Sequence, residues 1–589
     1  MKRTLLLLTI LLLTTTLASA QSRKEECQND GPNRTPCESA STPDHASKSG
    51  SRIAASSAAS LSTMSAASSS GPRSSPIEPR RTTDYRFLKD GDGGLDSGCT
   101  FRSGGPLRFT IEVNRVVSTD VYDRGNLIYP ERMVQNGIIS EYATLRMPAF
   151  DVDINGGPPP EVDYVRFNGQ IIGQLTGDNN VWKLNEFQVP ISLIRFARPN
   201  PNGSGPEPGL NEIEIVIDQA SGGNENWCTS IDWGELSFQA MYPVIMLHGN
   251  GSCGGFFMGD LECSGSASIG SDQYFARPFI QQSVPFDNFS YQRPEAPTPV
   301  NGEHLTELIP AIAKRFGVKH VHIVAHSKGG LHVRYALAQL KGREDIGVLS
   351  LSTLSTPHGG SVGADYVVDA AAGGKAVALF SDNRTRSQIS RWKGATAGQY
   401  DLRVSEVEKF NQQNFPNLPY SFTVDGETKV VKYKTIAADA NLNNSVKSGT
   451  PAYPALVGEY KPTISSNELT GIPRIGPFGF GDATAMQLVY RLMGEVQYTT
   501  LEPRTKLIRL PGTLIPVPVT GQGIVEHRHN IFQLNDFLVT VRSAHRITRF
   551  ANLEIFPPSF YTKANHASLS NAGVGKTVLD GIKEANSPR

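Results

Sequence analysis

The chain has 589 residues, and its 56 Lys and Arg balance 56 Asp and Glu to a formal net charge of zero. That balance gives no electrostatic basis for binding nucleic acid or for a polybasic patch on a membrane. The length admits several domains, and six cysteines, an even number, suit a chain that forms disulfides outside a reducing compartment.

The first residues, Met1-Lys2-Arg3, are basic; an apolar run from Leu5 to Leu13 follows, and then Ala18-Ser19-Ala20. A basic start, a short apolar run and small residues at a cleavage site describe an export signal over residues 1–20. The run is too short for a bilayer span, which needs about 20 apolar residues. The expectation is a secreted protein, extracellular or periplasmic, with no integral membrane segment. Residues 21–83 are rich in Ser and Ala, most of all from Ser39 to Ser75. Such a stretch cannot bury enough apolar surface to offset its ordering entropy, so a disordered linker is expected. Order and proximity of the cysteines favour the pairs Cys27–Cys37, Cys99–Cys228 and Cys253–Cys263.

Over residues 84–240 the hydrophobic period is two. Leu107, Phe109, Ile111 and Val113 alternate with polar neighbours, Ile213, Ile215 and Ile217 alternate with Glu212, Glu214 and Val216, and Leu236 and Phe238 repeat the pattern. Strict alternation puts one strand face on a core and the other in water. Asn168-Gly169 between two β-prone runs is the signal of a tight hairpin. The segment is expected to form an antiparallel, jelly-roll-like β-sandwich.

Over residues 241–589 the pattern changes to short apolar strands, Val244-Ile245-Met246-Leu247 and Val321-His322-Ile323-Val324, each running into small residues. Between them Leu305, Leu308, Ile309, Ile312 and Phe316 follow helical spacing. This alternation predicts an α/β domain with a largely parallel sheet covered on both faces.

The second strand leads into Ala325-His326-Ser327-Lys328-Gly329-Gly330 and then into a helical run. A strand, a sharp turn with Ser at its apex and a helix need small residues two positions either side of the Ser, and Ala325 and Gly329 meet that need. This segment resembles the nucleophile elbow of the α/β-hydrolases, with Ala in the first small position as in secreted bacterial lipases. His248-Gly249-Asn250-Gly251 is similar to the lipase H-G-x-G turn, and Thr356-Pro357-His358-Gly359-Gly360 to the junction between strand and lid. The resemblance covers roughly residues 241–589. It implies Ser327 as nucleophile and the backbone N–H groups of Asn250 and Lys328 as oxyanion donors. His248 and His358 read as turn-packing residues.

The family order is Ser, acid, His. The base expected from it is His566, in Asn565-His566-Ala567-Ser568-Leu569, ahead of a helix with Val574, Val578, Leu579 and Ile582 on one face. The acid expected is Asp536, because Val539, Ser543 and Ala544 after it match the family's acid-bearing stretch, although Phe537 stands where Gly is usual. Asp439, at the end of an apparent strand from Val430 to Ala438, and Asp482, ahead of an amphipathic run, are the alternatives. The insertion at about 359–430 is the expected lid, with Val367, Val368, Val377, Leu379 and Phe380 as candidate acyl-wall residues.

No cofactor is expected. Asp439-Ala440-Asn441-Leu442-Asn443-Asn444 starts like a calcium loop but lacks its later Gly and Glu, so a structural calcium is only an alternative. His527-Arg528-His529 has no identifiable third metal ligand and reads as a polar hairpin. Ser570-Asn571-Ala572-Gly573-Val574-Gly575-Lys576-Thr577 lacks the first Gly of a phosphate loop and follows the base rather than an early strand. The function expected is hydrolysis of carboxylic esters or lipids by a Ser-His-Asp triad. The alternatives are an aliphatic polyester depolymerase whose sandwich grips polymer or glycan, and an exported adhesion or carbohydrate-binding protein with an inert hydrolase domain. Since every triad candidate follows Tyr242, a fragment starting there is expected to act on soluble esters alone.

Overall fold

A computed structural model describes residues 74–90, 95, 99–122, 124–155, 160–200, 205–218, 227–261, 263–265, 273–361, 364, 368, 396–414, 420–439, 495–508, 517–530, 536, 539–546, 559–562 and 566–586. Of residues 414, 439, 495–508, 517–530, 541–542, 560–562 and 567–568 it describes the backbone alone. The export signal, the Cys27–Cys37 pair, Asp482 and four of the five acyl-wall candidates (all but Val368) lie outside the described residues.

The period-two segments form two antiparallel sheets. Tyr142–Phe150 is the hub of a six-stranded sheet, pairing with Trp182–Pro190, Gly234–Ser237 and Cys228–Ile231; Arg86–Lys89 and Thr100–Phe101 complete it. Leu107–Val113, Gly209–Val216, Tyr164–Phe167 and Gln170–Gln174 make a four-stranded sheet. Along Leu107–Val113 burial alternates residue by residue, as the sequence predicts. The Asn168-Gly169 turn has φ of 48° and 84°, the left-handed pair that a tight hairpin requires. The two sheets face each other: a Cβ at Gly234 of one would meet the Phe109 ring of the other at 2.4 Å.

The apolar runs of the second half form a six-stranded parallel sheet. Its strands are β1 (Val244–Leu247), β2 (Phe286–Phe289), β3 (His320–His326), β4 (Gly347–Leu354), β5 (Lys432–Asp439) and β6 (Ser559–Thr562). Their spatial order is β2-β1-β3-β4-β5-β6, with every neighbouring pair parallel. Strands β1, β3 and β4 are buried at every residue, the burial expected of a sheet covered on both faces. Helix α1 (Thr298–Phe316) packs on α2 (Gly329–Leu340) so closely that a Cβ at Gly302 would meet the Tyr335 ring at 2.5 Å. The last helix, α3 (Ala572–Asn586), buries Val574, Val578, Leu579 and Ile582.

Two features depart from the sequence reading. First, the apparent strand from Val430 to Ala438 is divided: Glu427–Val430 pairs with Ser421–Val424 in a hairpin, and β5 starts at Lys432. That hairpin, inside the expected lid, packs at the start of the parallel strands, away from Ser327. Asp425 pairs with Lys319, and Val424 lies against Gly347. Its alternating Tyr420, Phe422 and Val424 are buried, which is what draws it there.

Second, the antiparallel sheets and the parallel sheet share one continuous hydrophobic core. The buried Asp84 accepts the Lys319 N–H and the His320 Nδ1–H, both at 2.8 Å. Val116 N–H donates to Phe316 O at 2.9 Å, and Tyr85 packs on both Phe238 and Tyr242. A fragment starting at Tyr242 would lose these partners, so the expectation that it works alone lacks a physical basis.

The pairs Cys99–Cys228 and Cys253–Cys263 are disulfides. Among the described residues no helix is long and apolar enough to cross a membrane. The one group with metal-like spacing there is Cys99, Asp151 and Cys228, whose two sulfurs are already joined.

Candidate active site

In a parallel sheet, side chains that do chemistry gather beyond the C-terminal ends of the strands. Here β1 ends into His248-Gly249-Asn250, β3 into Ser327, β4 into Ser355, and β6 is followed by His566. Ser327 has φ of +54°, in the left-handed region that costs a non-glycine residue of order 1 kcal/mol or more. Its backbone is held by the Ser327 N–H bond to Leu354 O at 2.9 Å. The room around it exists only because its neighbours are small. A Cβ at Gly249 would sit 2.5 Å from Ser327 Cβ and 3.0 Å from Oγ, and one at Gly329 would sit 2.5 Å from His248 O.

His566 stands at the start of a short turn, Ala567–Ser570, just ahead of α3. Its Nδ1 lies 2.8 Å from Asp536 Oδ2, and its backbone N–H donates to Asp536 O at 3.1 Å. Asp536 is fully buried; its Oδ1 accepts the Val539 N–H at 2.8 Å. A carboxylate on Nδ1 holds the ring in the tautomer whose Nε2 is free to accept a proton. The flanking motif residues fix this loop. Val539 and Ala544 pack on Ala437 of β5, while Ser543 Oγ accepts the Gly359 N–H at 3.0 Å and donates to Gly360 O at 2.7 Å. His566 reaches the Ser327 turn through His326: His326 Nε2 lies 3.0 Å from His566 O, and the two rings are 4.7 Å apart. The alternative acid Asp439 is the last residue of β5, paired in register with Thr562.

Asn250 follows β1, and its buried Oδ1 has no hydrogen-bond partner among the described residues. A Cβ at Gly398, in the short helix Ala397–Tyr400, would meet that oxygen at 2.2 Å, so this helix covers the turn. Lys328 is fully buried; its Nζ donates to Ala296 O at 2.8 Å and lies 3.5 Å from Asp401 Oδ2. Burial pulls its amine down to about 8, with Asp401 opposing. The sequence carries no signal for this, since Asp401 belongs to an insertion without a recognisable motif.

The other singled-out histidines have structural partners. Tyr291 N–H donates to His248 Nε2 at 3.0 Å, so His248 Nδ1–H donates to Gly249 O at 2.9 Å, and burial lowers this ring to about 4. His358 sits between Arg334 and Thr353. His527 and His529 fall on the strand Val517–Asn530, in an antiparallel hairpin with Glu495–Ile508. The phosphate-loop lookalike opens α3, where Asn571 Oδ1 accepts the Val574 N–H at 3.0 Å. The calcium-like stretch after Asp439 lies outside the described residues.

No family model matches the chain. It is similar to triacylglycerol lipase 2 of Saccharomyces cerevisiae, with 53% identity over 49 residues, which is 8% of this chain and 15% of that lipase. Among solved structures it is similar to the mature form of a Bacillus licheniformis lipase, with 17% identity and a TM-score of 0.32 over 58% of this chain and 92% of that one. It is also similar to Aspergillus fumigatus lipase B, with 13% identity and a TM-score of 0.23 over 36% of this chain and 40% of that one. All three of these proteins are named as lipases.

Proposed function

We propose that the chain is an exported serine hydrolase of the α/β-hydrolase fold that cleaves carboxylic esters. Ser327 Oγ attacks the ester carbonyl carbon while His566 Nε2 takes its proton. Asp536 holds the Nδ1–H and stabilises the imidazolium that forms. The backbone N–H groups of Asn250 and Lys328 receive the developing oxyanion. The intermediate collapses, the alcohol leaves with the proton from His566, and water repeats the sequence to release the acid.

The observation that carries this reading is the strained Ser327 between a buried parallel strand and a helix, next to His326, which bonds the carbonyl of a histidine paired with a buried carboxylate. The two disulfides suit an exported protein. The short helix Ala397–Tyr400, seated on Asn250, supports an acyl-covering role for the insertion, and the two antiparallel sheets serve as its accessory sandwich. Ser327→Ala tests the assignment on p-nitrophenyl esters of graded chain length and on a polyester emulsion. Turnover is expected to fall about a million-fold with the fold intact; a variant that keeps a substantial fraction of activity refutes it. The emulsion separates esterase from polymer-degrading activity.

A further inference from the structure

The residue before the nucleophile, His326, is buried, and its ring is held through Nε2 and its faces, while Nδ1 has no hydrogen-bond partner among the described residues. Its Nε2 lies 3.0 Å from the carbonyl oxygen of His566. A carbonyl only accepts, so Nε2 carries the hydrogen and donates it. Burial, and then the neighbouring His566, hold the ring well below the usual imidazole range, which keeps it neutral and fixed in this tautomer. The ring stacks on Phe256 at 4.2 Å and packs against the His566 ring at 4.7 Å. Phe256 lies in the turn Gly254–Met258. The residue before that turn, Cys253, is bonded to Cys263, and the Gly254 N–H is bound by Ser290 Oγ at 2.8 Å.

We propose that His326 is the positioning residue of the catalytic base: its Nε2–H and its ring face, backed by Phe256 and the Cys253–Cys263 loop, fix the backbone and ring plane of His566 relative to Ser327. The inference rests on the triad reading above. Asp536 holds the base through Nδ1 and the backbone N–H; His326 holds the opposite side of the same residue, its carbonyl. With both in place His566 is clamped at N–H, C=O and ring, and the strut that does so shares a peptide bond with the nucleophile. A small displacement of the base lengthens the proton path in the transition state more than it weakens ester binding, so the effect falls on kcat.

The test uses the full chain and p-nitrophenyl butyrate. His326→Phe keeps the stacked ring and removes the donor; kcat is expected to fall about tenfold or more with KM within about twofold. His326→Gln, which can present an amide N–H where Nε2 stood, is expected to recover most of that loss. Circular dichroism and thermal melting report whether each variant folds. A folded His326→Phe with wild-type kcat overturns the proposal, as does a His326→Gln no better than Phe. Should His326→Phe fail to fold, Phe256→Leu carries the test: a lower kcat at unchanged KM supports the strut, and an unchanged kcat overturns it. Ser327→Ala in the same series separates the two levels. An active Ser327→Ala overturns the triad and this inference with it, whereas an inactive one beside a fully active, folded His326→Phe overturns the role of His326 alone.

Discussion

Lys328, next to Ser327, makes a quantitative case. Lys328 is fully buried, with Ala296 O and Asp401 as its partners and the neutral, buried His332 one turn along α2. Burial brings its amine from 10.5 to about 8. An unfolded lysine keeps its proton up to its ordinary range, whereas this one releases it about 2.5 units earlier. Between those two pH values the unfolded chain binds more protons than the folded one, so stability rises with pH. At about 1.4 kcal/mol per unit, the window is worth about 3 kcal/mol, absent below pH 8 and complete above the unfolded value. Roughly 2 kcal/mol of it falls between pH 7.5 and 9.5.

Lys328→Met isolates the effect, because it removes the titrating group and leaves Asp401 its bond from the Thr298 N–H. Urea unfolding of both proteins, followed by tryptophan fluorescence, is run across this pH range. The wild type is expected to gain on the variant by roughly 2 kcal/mol from pH 7.5 to 9.5. Other groups, Glu161 among them, titrate in both proteins and cancel in the difference. A difference that stays flat with pH refutes the reasoning, since Lys328 would then keep its proton in the folded chain as it does in the unfolded one.

Two further outcomes follow from the same contacts. Asp536→Asn is expected to cut kcat by about four orders of magnitude with KM nearly unchanged, because an amide can hold the imidazole in the wrong tautomer; Asp439→Asn, assayed beside it, should stay within a few-fold, and a large loss there instead would move the acid. Asp84→Ala leaves the Lys319 N–H and His320 Nδ1 without their shared acceptor. It should lower stability by about 3 kcal/mol while kcat/KM holds, and a melting temperature equal to wild type would show that the shared core does not depend on this contact.

What the sequence made legible was local. The alternation of Leu107, Phe109, Ile111 and Val113, the Asn168-Gly169 turn and the helical spacing from Leu305 to Phe316 are set by neighbours a few residues away, and all three appear in the fold. The Ser327 turn was readable because its small residues are required by backbone geometry. The loop that carries Asp536 could be read from Val539, Ser543 and Ala544, each of which fixes it. What was not legible depends on distant partners. Asp84 and His320 are 236 residues apart, and His326 and His566 are 240 apart. Neither pair leaves a periodic or spaced signature. The hairpin at 421–430 has a strand-like alternation, but nothing local says which end of the sheet will bury it.

These distant contacts are not scattered. Asp84 on Lys319 and His320, Val116 on Phe316, and Asp425 on Lys319 all brace the parallel sheet where its strands begin. At the other end, Ser327 and Ser355 both have positive φ, and each is tied by its N–H to the next strand, Leu354 O and Ile436 O. Two adjacent strands thus end in strained residues, and strain of this kind persists only where the surrounding structure over-determines it. The antiparallel sheets supply part of that determination from the opposite end, by fixing where β1 and β3 start. That division explains why Asp84→Ala should move the melting temperature and not the chemistry. His326 acts at the opposite end, on the carbonyl of His566, and its loss should lower kcat.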